Sequence, residues 1–270
     1  MAPKPALSVV VPAYNETPNI RPLTKRLFAA VRKAGIETEL LIADDESPGS
    51  AATRTEVEKL ASEGYAVRLI ARRRSEGRGL SSAVLLGFHK ASNPVVLCMD
   101  ADLQHEPEAV PAVAGPVLAS TADFTVGSRN VGGGGLGFEW SMLRQVISAG
   151  ATLLAWPLSA SSDPMSGFFC LSKATLASAA DAGINATGFK IGLELMVRCR
   201  CTRVVDVPIT FQERTAGESK LTMKQNVLYL MQLFSLYVFK FGAPLVAAVL
   251  LALLAQTALL LRTLHGLMPK

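Results

Sequence analysis

The 270-residue sequence is poor in the residues from which zinc sites and disulfide frameworks are built. It has four cysteines and three histidines, and no two cysteines form a Cys-x-x-Cys pair. A zinc site and a disulfide-stapled fold are therefore disfavoured. Cys98 and Cys170 lie in apolar runs, as small core residues do. This cysteine usage fits a reducing, cytosolic compartment.

Motifs for DNA or RNA recognition are also missing, and the excess of positive charge is small. The formal net charge is +5 and the sequence pI is about 9.1. Such an excess suits phosphates or an acidic lipid surface but is too weak to indicate nucleic acid. We therefore expect no nucleic-acid partner.

No apolar signal-peptide region precedes the first strand pattern.

Apolar residues are abundant and concentrate near the C-terminus. They make up 50% of the chain, and the mean hydropathy of +0.32 is high for a soluble domain. Residues 243–261 contain no charged side chain. As a helix this run would be roughly 28 Å long, close to the thickness of a bilayer core. We predict a transmembrane helix over 243–262 and a short tail over 263–270, with a buried core helix as the alternative.

The segment before this run has helical spacing of its apolar residues, which predicts an amphipathic helix over 223–242. Its apolar face consists of Val227, Leu230, Met231, Phe234, Val238 and Phe241. The face could pack on the preceding domain or lie in a membrane interface. We predict an interfacial helix, which leaves residues 1–222 as the preceding domain.

Strand patterns and helix patterns alternate over the first two hundred residues. The strands are predicted at Leu7–Val11, Leu40–Ala43, Val67–Ala71, Val95–Met99 and Phe124–Val126, and helices at Pro18–Ala34, Ala52–Ser62 and Leu80–Ala91. This order indicates an α/β fold with a mostly parallel sheet flanked by helices. Ligands of such sheets bind beyond the carboxyl ends of the strands.

Oxygen-bearing side chains follow the fourth predicted strand. Asp100, Asp102 and Gln104 are two residues apart, so in an extended chain they point the same way. Carboxylate and amide oxygens are ligands for Mg²⁺ or Mn²⁺, and such an ion can bridge a diphosphate. The alternative is capping of a helix that begins near Glu106-Pro107-Glu108.

Other polar residues also follow strands. Asp44 and Asp45 point to opposite faces, so one could accept hydrogen bonds from a nucleoside while the other braces the turn at Ser47-Pro48-Gly49. Arg129 and Arg144 could each bind a phosphate.

Two further segments have the composition of loops or turns. The glycine run Gly132–Gly135 predicts a mobile loop. Asp163–Phe169 is typical of a turn that leads into a strand.

Several segments together resemble family 2 glycosyltransferases of the GT-A fold, in particular those that act on dolichyl phosphate. They are VPAYNE (Val11–Glu16), DDESP (Asp44–Pro48), DADLQHEPE (Asp100–Glu108), GSR (Gly127–Arg129), DPMSGFF (Asp163–Phe169), FQERTAGESKL (Phe211–Leu221) and YVFKFG (Tyr237–Gly242). One departure is that Ser47-Pro48 continues as Gly49-Ser50-Ala51, where the family has Asp-Gly-Thr.

The resemblance implies a mannosyltransferase that uses GDP-mannose, dolichyl phosphate and a divalent cation, Mg²⁺ or Mn²⁺, and inverts the anomeric carbon. It also implies a single-chain enzyme, with no obligatory protein subunit, on the bilayer of the endoplasmic reticulum. Its catalytic domain, residues 1–222, would face the cytosol, or the membrane would be the plasma membrane in a prokaryote. A polyprenyl-phosphate glucosyltransferase using a UDP-sugar and a non-catalytic membrane scaffold are the alternatives.

The resemblance also assigns residues, each of which is an expectation at this point. The implied donor ligands are Pro12, Tyr14, Glu16, Ala43, Asp45, Asp100, Ala101, Asp102, Arg214 and Lys220. The implied metal ligands are Asp100, Asp102 and Gln104, and the implied acceptor-phosphate ligands are Arg129, Arg144 and Ser166. Asp102, Arg129 and Arg144 would be the catalytic residues.

Overall fold

The structure is a computed structural model that describes residues 4–73, 79–138, 142–213 and 223–266. The strands are β1 Ala6–Ala13, β2 Glu37–Asp44, β3 Val67–Ala71, β4 Val95–Cys98, β5 Phe124–Ser128, β6 Gly135–Leu136, β7 Phe169–Ser172, β8 Val204–Pro208 and β9 Thr210–Phe211. The helices are α1 Thr17–Lys33, α2 Ser50–Ser62, α3 Leu80–Lys90, α4 Val110–Leu118, α5 Met142–Ala155, α6 Lys173–Ala177, α7 Ile191–Arg198, α8 Met223–Phe241 and α9 Ala243–Gly266. Short 3₁₀ turns cover Pro107–Ala109 and Ala180–Ala182.

A seven-stranded sheet in the order β3-β2-β1-β4-β7-β5-β8 forms the centre of the domain. All pairs are parallel except those of β7, which runs antiparallel to both β4 and β5. The predicted mostly parallel α/β sheet is confirmed, and each of the five predicted strands is present. The prediction that the Asp163–Phe169 turn leads into a strand is also confirmed, because β7 begins at Phe169.

The central strands of the sheet are buried on both faces, which explains their mostly apolar sequences, whereas the outer strands β3 and β8 are partly exposed. Side chains alternate along β1, so Val9 and Val11 belong to one core cluster and Val10 to the other. Helices α1, α2 and α4 cover the first face, and α3 and α7 cover the second. The sheet is thereby held between two helical layers.

A third apolar cluster joins α5, α7 and α8. Tyr229, Leu233 and Leu236 of α8 pack there. The predicted apolar face of α8 points elsewhere, because Met231 and Phe234 are 63% and 55% exposed. The predicted amphipathic helix is present, and it has apolar residues on its exposed face as well as on its packed face.

The chain bends sharply between α8 and α9 at Gly242, whose φ of +86° favours glycine. Within the described residues, no single helix has both the length and the apolar composition needed to cross a membrane. Lys224–Phe241 and Ala243–Thr257 meet these criteria only together, as a pair bent by 119°. The predicted transmembrane helix over 243–262 and the division of the chain at 222 and 242 remain predictions.

The glycine run Gly132–Gly135 is not simply a loop. Gly135 and Leu136 form β6, which pairs in parallel with Thr210 and Phe211 of β9. A Cβ on Gly134 would lie 2.6 Å from the carbonyl oxygen of Ser128. Close backbone approach therefore accounts for glycine at this position, and the prediction of a mobile loop missed the strand.

Candidate active site

Three of the five described non-glycine residues with positive φ lie at the sheet edge where the predicted site residues collect. Asn15, Glu46 and Leu103 have φ values of 61°, 48° and 62°, in the left-handed region that most residues avoid. They follow β1, β2 and β4, whose carboxyl ends share one edge because these strands are parallel. Strain of this kind is concentrated at functional sites and must be held by surrounding structure.

The predicted metal ligands lie at the end of β4, with Asp102 and Gln104 buried. Asp102 Oδ1 accepts a hydrogen bond of 3.1 Å from the Gln104 N–H. The Gln104 side-chain amide donates to the Gln212 carbonyl at 3.1 Å. The carboxylate of Asp100 lies against Gly167, where a Cβ would be 3.2 and 3.3 Å from its two oxygens. A glycine in the Asp163–Phe169 segment therefore makes room for Asp100.

These donor groups fit a metal ion that is also bound by the phosphates of a substrate. Among the described residues, no group of three or more His, Cys, Asp and Glu side chains is placed to hold an ion. Mg²⁺ is commonly bound by one or two carboxylates together with substrate phosphates, so two carboxylates and one amide suffice. The arrangement of Asp100, Asp102 and Gln104 suits a cation that arrives with a diphosphate, and their metal role stays a prediction.

His105 is a buried part of this site that the motif-based assignment did not include. Its Nδ1 accepts a hydrogen bond of 3.2 Å from the backbone N–H of Asp100. Burial lowers the His105 pKa to about 4, against the opposing effect of Asp102, so the ring is neutral near pH 7. A ring that accepts at Nδ1 carries its proton on Nε2.

Arg129 follows β5 and forms a bidentate ion pair with Asp163, with both hydrogen bonds 2.7 Å long. Burial raises the Asp163 pKa, but the hydrogen bonds and charge of Arg129 outweigh this and leave the pKa below its usual value. The Arg129 guanidinium also lies over the Phe211 ring, 5.1 Å from Cζ to the centroid. The predicted acceptor ligand is thus held rigidly, and its contact with a phosphate remains a prediction.

The hydroxyl of Ser166 links two strands next to the site. It donates to the Gly127 carbonyl at 2.7 Å and accepts from the Phe168 N–H at 3.2 Å. These bonds tie the end of β5 to the beginning of β7. The structure gives Ser166 this bracing role, and its predicted contact with the acceptor phosphate is untested.

The expected nucleoside ligands lie at the ends of β1 and β2. Pro12 and Ala43 are paired in the parallel ladder, and Ala43 is completely buried. Tyr14 is 37% exposed, whereas Glu16 is buried and accepts a hydrogen bond of 2.8 Å from the Asn19 amide. Ala101, another expected donor ligand, lies in the loop after β4 and is also buried.

Of the two aspartates at the end of β2, Asp44 makes the predicted bracing contacts, and the predicted nucleoside contact of Asp45 remains a prediction. Asp44 is buried and accepts hydrogen bonds from Ser47 and Ser50. Asp45 instead accepts from the Gly79 N–H at 2.8 Å and lies 3.4 Å from Arg72 Nη1.

Ser50 and Gly49 belong to the departure from the family pattern, and both fit the loop. Ser50 supplies one of the hydroxyls that bind Asp44. A Cβ on Gly49 would lie 2.9 Å from Asn15 Oδ1. The altered loop therefore packs closely against the loop that follows β1.

Two buried or partly buried cations near the site carry no local sequence signal. Arg72 is buried beside Asp45, and its Nη2 has no hydrogen-bond partner in the described part of the chain. Lys190 Nζ donates to the Met165 carbonyl at 2.7 Å. Burial and the charge of Arg129 lower the Lys190 pKa to about 8, although Asp100 and Asp163 oppose this.

A cavity of about 590 Å³ opens beside Arg129. Its walls are formed by Arg129, Asn130, Leu136, Gln145, Ser148, Ala149, Thr152, Leu153 and Trp156. Hydroxyl and amide groups line one part, whereas Leu153 and Trp156 of the α5 region are 65% and 70% exposed. Arg144 is an exposed residue in the first turn of α5, next to the cavity-lining Gln145. Arg214 and Lys220, expected to close over the donor, fall outside the residues that the structure describes.

Residues 8–175 match the family model described as glycosyl transferase family 2. The chain is 48% identical over 244 residues to a dolichol-phosphate mannosyltransferase of Saccharomyces cerevisiae, covering 87% of this chain and 88% of that one. It is 45% identical over 257 residues to the protein of that name from Mycosarcoma maydis, covering 93% and 85%. A Pyrococcus furiosus relative of the same name is 38% identical, and the chain covers 63% of its length.

Solved structures with the same fold are more distant in sequence. A glucosyl-3-phosphoglycerate synthase from Mycobacterium tuberculosis, in complex with Mn²⁺ and UDP, aligns with a TM-score of 0.59 at 19% identity, covering 87% of this chain and 80% of that one. A mannosyl-3-phosphoglycerate synthase from Rubrobacter xylanophilus aligns with a TM-score of 0.58 at 18% identity, covering 88% and 75%. At these identities the likeness concerns the fold alone.

Proposed function

Because the chain belongs to glycosyl transferase family 2 and has the GT-A fold, we propose that it transfers mannose from GDP-mannose to dolichyl phosphate. That it is a glycosyltransferase of the dolichol-phosphate mannosyltransferase group follows from its relatives. The choice of GDP-mannose and inversion at the anomeric carbon are our proposals. The observation that carries the proposed lipid-phosphate acceptor is the cavity beside Arg129, which borders exposed apolar side chains of α5.

The reaction places particular demands on charge. The acceptor phosphate is already ionised at neutral pH, so a strong general base is unnecessary. The enzyme must instead bring an anionic acceptor and an anionic donor together, and cations around the reacting centre lower the cost of doing so. Arg129 and Lys190 supply positive charge within the described residues, and Arg214 and Lys220 are proposed to do so at the donor.

Asp100, Asp102 and Gln104 would hold the divalent cation, which supplies charge neutralisation to the departing diphosphate when it is bound. Structural neighbours hold Mn²⁺ or Mg²⁺, which supports a divalent cation here by analogy of fold only. Within the chain itself, Gly167 leaves space for the Asp100 carboxylate.

We assign the acceptor to the cavity beside Arg129. A lipid phosphate has a charged head and an apolar chain, so it needs a polar site that opens onto an apolar surface. Arg129 and the hydroxyls of Ser148 and Thr152 provide the polar part, and Leu153 and Trp156 provide the apolar part. Arg144, at the start of the same helix, would add charge at the entrance.

We further propose that the protein works at a lipid surface, on the cytosolic face of the endoplasmic reticulum or at the plasma membrane in a prokaryote. The support is the apolar surface of α5, α8 and α9, where Met142, Met231 and Leu251 are 82%, 63% and 67% exposed. Large exposed apolar patches mark membrane or protein contacts. The anchor over 243–262 belongs to this proposal.

A transfer assay with purified protein in dolichyl-phosphate vesicles tests the function directly. Labelled GDP-mannose should yield a labelled lipid in the presence of Mn²⁺ or Mg²⁺, and EDTA should stop the reaction. UDP-glucose at the same concentration should give little product. Preferred transfer from UDP-glucose would favour the polyprenyl-phosphate glucosyltransferase, and no transfer from either donor would favour a non-catalytic scaffold.

A further inference from the structure

His105 stands at the junction of three segments that are distant in sequence. Its ring centroid lies 5.2 Å from that of Phe168, which precedes β7, and 5.3 Å from that of Phe211 in β9. Phe211 in turn lies beneath the Arg129 guanidinium. The His105–Phe168 contact is tilted and the His105–Phe211 contact is edge-on. Together the four side chains form a continuous series of contacts from the predicted acceptor side to the predicted metal side.

One of the two ring nitrogens, Nδ1, is used on the metal side. His105 is only 2% exposed, and a buried ring nitrogen is costly unless it is hydrogen-bonded. Nδ1 meets that need by accepting from the Asp100 N–H at 3.2 Å, and it lies 3.6 Å from Asp100 Oδ2. A phenylalanine would fill the same apolar surroundings without such a cost, so the nitrogen itself requires an explanation.

Neighbouring hydrogen bonds fix the same loop to the strand that carries Phe211. The Gln212 N–H donates to the Gln104 carbonyl at 2.9 Å, and the Gln104 amide donates to the Gln212 carbonyl at 3.1 Å. Gln212 Nε2 also donates to Glu106 at 2.8 Å. These hydrogen bonds fix the loop after β4 on both sides of His105. The position of the ring relative to Asp100 is therefore fixed as well.

We propose that His105 is a positioning residue for the metal site: its Nδ1 holds the backbone of Asp100, and ring contacts with Phe168 and Phe211 hold His105. The inference rests on the proposed metal role of Asp100. Groups that orient metal ligands through hydrogen bonds typically change metal affinity by about 10–100-fold when they are removed. A purely structural role for His105 would instead change the stability of the fold without such a change in affinity.

Two substitutions separate the role of the ring nitrogen from that of the aromatic packing. His105→Phe keeps an aromatic ring between Phe168 and Phe211 and removes the acceptor for the Asp100 N–H. His105→Asn removes the ring and keeps an acceptor oxygen near the position of Nδ1. His89→Phe is the matched control, because His89 is exposed on α3 and its loss reports only adventitious metal binding by histidine.

Binding of Mn²⁺ to the full-length protein with GDP, followed by the electron paramagnetic resonance of free Mn²⁺, gives the affinity without requiring turnover. We expect His105→Phe to weaken Mn²⁺ binding about tenfold or more, and His105→Asn and His89→Phe to stay within about threefold of wild type. The thermal midpoint of each metal-free variant is measured in parallel. Wild-type affinity in a folded His105→Phe would overturn the inference.

The remaining outcomes are also decisive. If His105→Phe does not fold, a loss of tenfold or more in His105→Asn overturns the inference, and retained affinity supports it. A wild-type protein that binds no Mn²⁺ overturns the inference together with the metal role. A wild-type protein that transfers no mannose, combined with the expected loss in His105→Phe, rejects the proposed substrates and supports the positioning role.

Discussion

Arg129 and Asp163 are joined by two parallel hydrogen bonds of 2.7 Å, and the Asp163 side chain is completely buried. The same carboxylate also accepts from the Arg129 backbone N–H at 3.2 Å. The guanidinium is thus fixed before any acceptor binds, so an arriving phosphate does not have to order a flexible side chain. This pre-organisation reduces the entropic cost of bringing two anions together.

Removing one partner should reveal how much stability the pair maintains. We expect Arg129→Met to lower the free energy of unfolding by about 3–5 kcal/mol, because it leaves the Asp163 charge buried without a partner. The double variant Arg129→Met/Asp163→Asn should recover part of this loss, since no uncompensated charge remains. Urea unfolding of the three proteins measures both values. A loss below about 1 kcal/mol in Arg129→Met would show that the buried Asp163 charge does not depend on Arg129.

Asp163 should also give a defined pH dependence. Its pKa in the folded protein is lower than the ordinary value of 3.8, so its ionised form contributes stability above pH 3.8 that is lost as the pH falls through the folded-state pKa. Asp163→Asn lacks this titration. The difference in unfolding free energy between wild type and Asp163→Asn should therefore be constant at neutral pH and shrink below pH 3.8. Denaturant titrations at a series of pH values test this, and a constant gap would argue against the pair.

The sequence allowed five of the seven strands of the main sheet to be predicted with approximate bounds, because each is rich in apolar residues. β1 and β4 are mostly apolar, and in parallel sheets such strands are followed by the polar residues of the site. The position of β7 between β4 and β5 could not be predicted, because it depends on pairing between distant segments. The two-residue strands β6 and β9 are too short to give a periodic pattern.

The site shows the same division between local and distant information. Asp44 and Asp45 are neighbours, and their opposite orientations follow from strand geometry. Arg129 and Asp163 are 34 positions apart, and nothing near either residue indicates the other. Lys190 likewise has no motif of its own. Contacts of this kind are determined by how the strands and loops pack, which local spacing does not encode.

Asp102→Asn should separate the proposed metal role from folding. The variant keeps an oxygen that can accept from the Gln104 N–H, so the metal-free thermal midpoint should remain close to wild type. A bound cation lowers the activation free energy by several kcal/mol. Its loss in Asp102→Asn should therefore lower kcat by about a thousandfold. Asp181→Asn, at an exposed position, is the control. Near-normal turnover of Asp102→Asn would remove Asp102 from the metal site.

Gly167 permits a test of the Asp100 position that changes no polar group. An added methyl group would meet both carboxylate oxygens of Asp100 at 3.2–3.3 Å, so Gly167→Ala should displace the carboxylate and weaken Mn²⁺ binding about tenfold. Gly115→Ala in α4 is the matched control, because its Cβ meets nothing within 4 Å. It should be neutral or stabilising by about 0.5–1 kcal/mol. Equal Mn²⁺ affinity in the two variants would show that Asp100 does not depend on this space.

Leu153 and Met231 test whether the exposed apolar surface meets a bilayer. The two helices that carry this surface are joined where the Tyr229 hydroxyl donates to the Ala151 carbonyl at 2.8 Å, so they are held together. Replacing either side chain by glutamate removes about 1.5–3 kcal/mol of apolar burial in lipid, which predicts at least a tenfold weaker partition into vesicles. Ala52→Glu adds the same charge to an exposed position on α2 and should leave partition unchanged.

Because both target side chains are exposed in the folded chain, their substitution should leave the thermal midpoint nearly constant, and a loss of folding would show that they pack on protein instead. Unchanged co-sedimentation of Leu153→Glu and Met231→Glu with vesicles would mean that α5 and α8 face a protein partner or water, and that any lipid contact lies along α9.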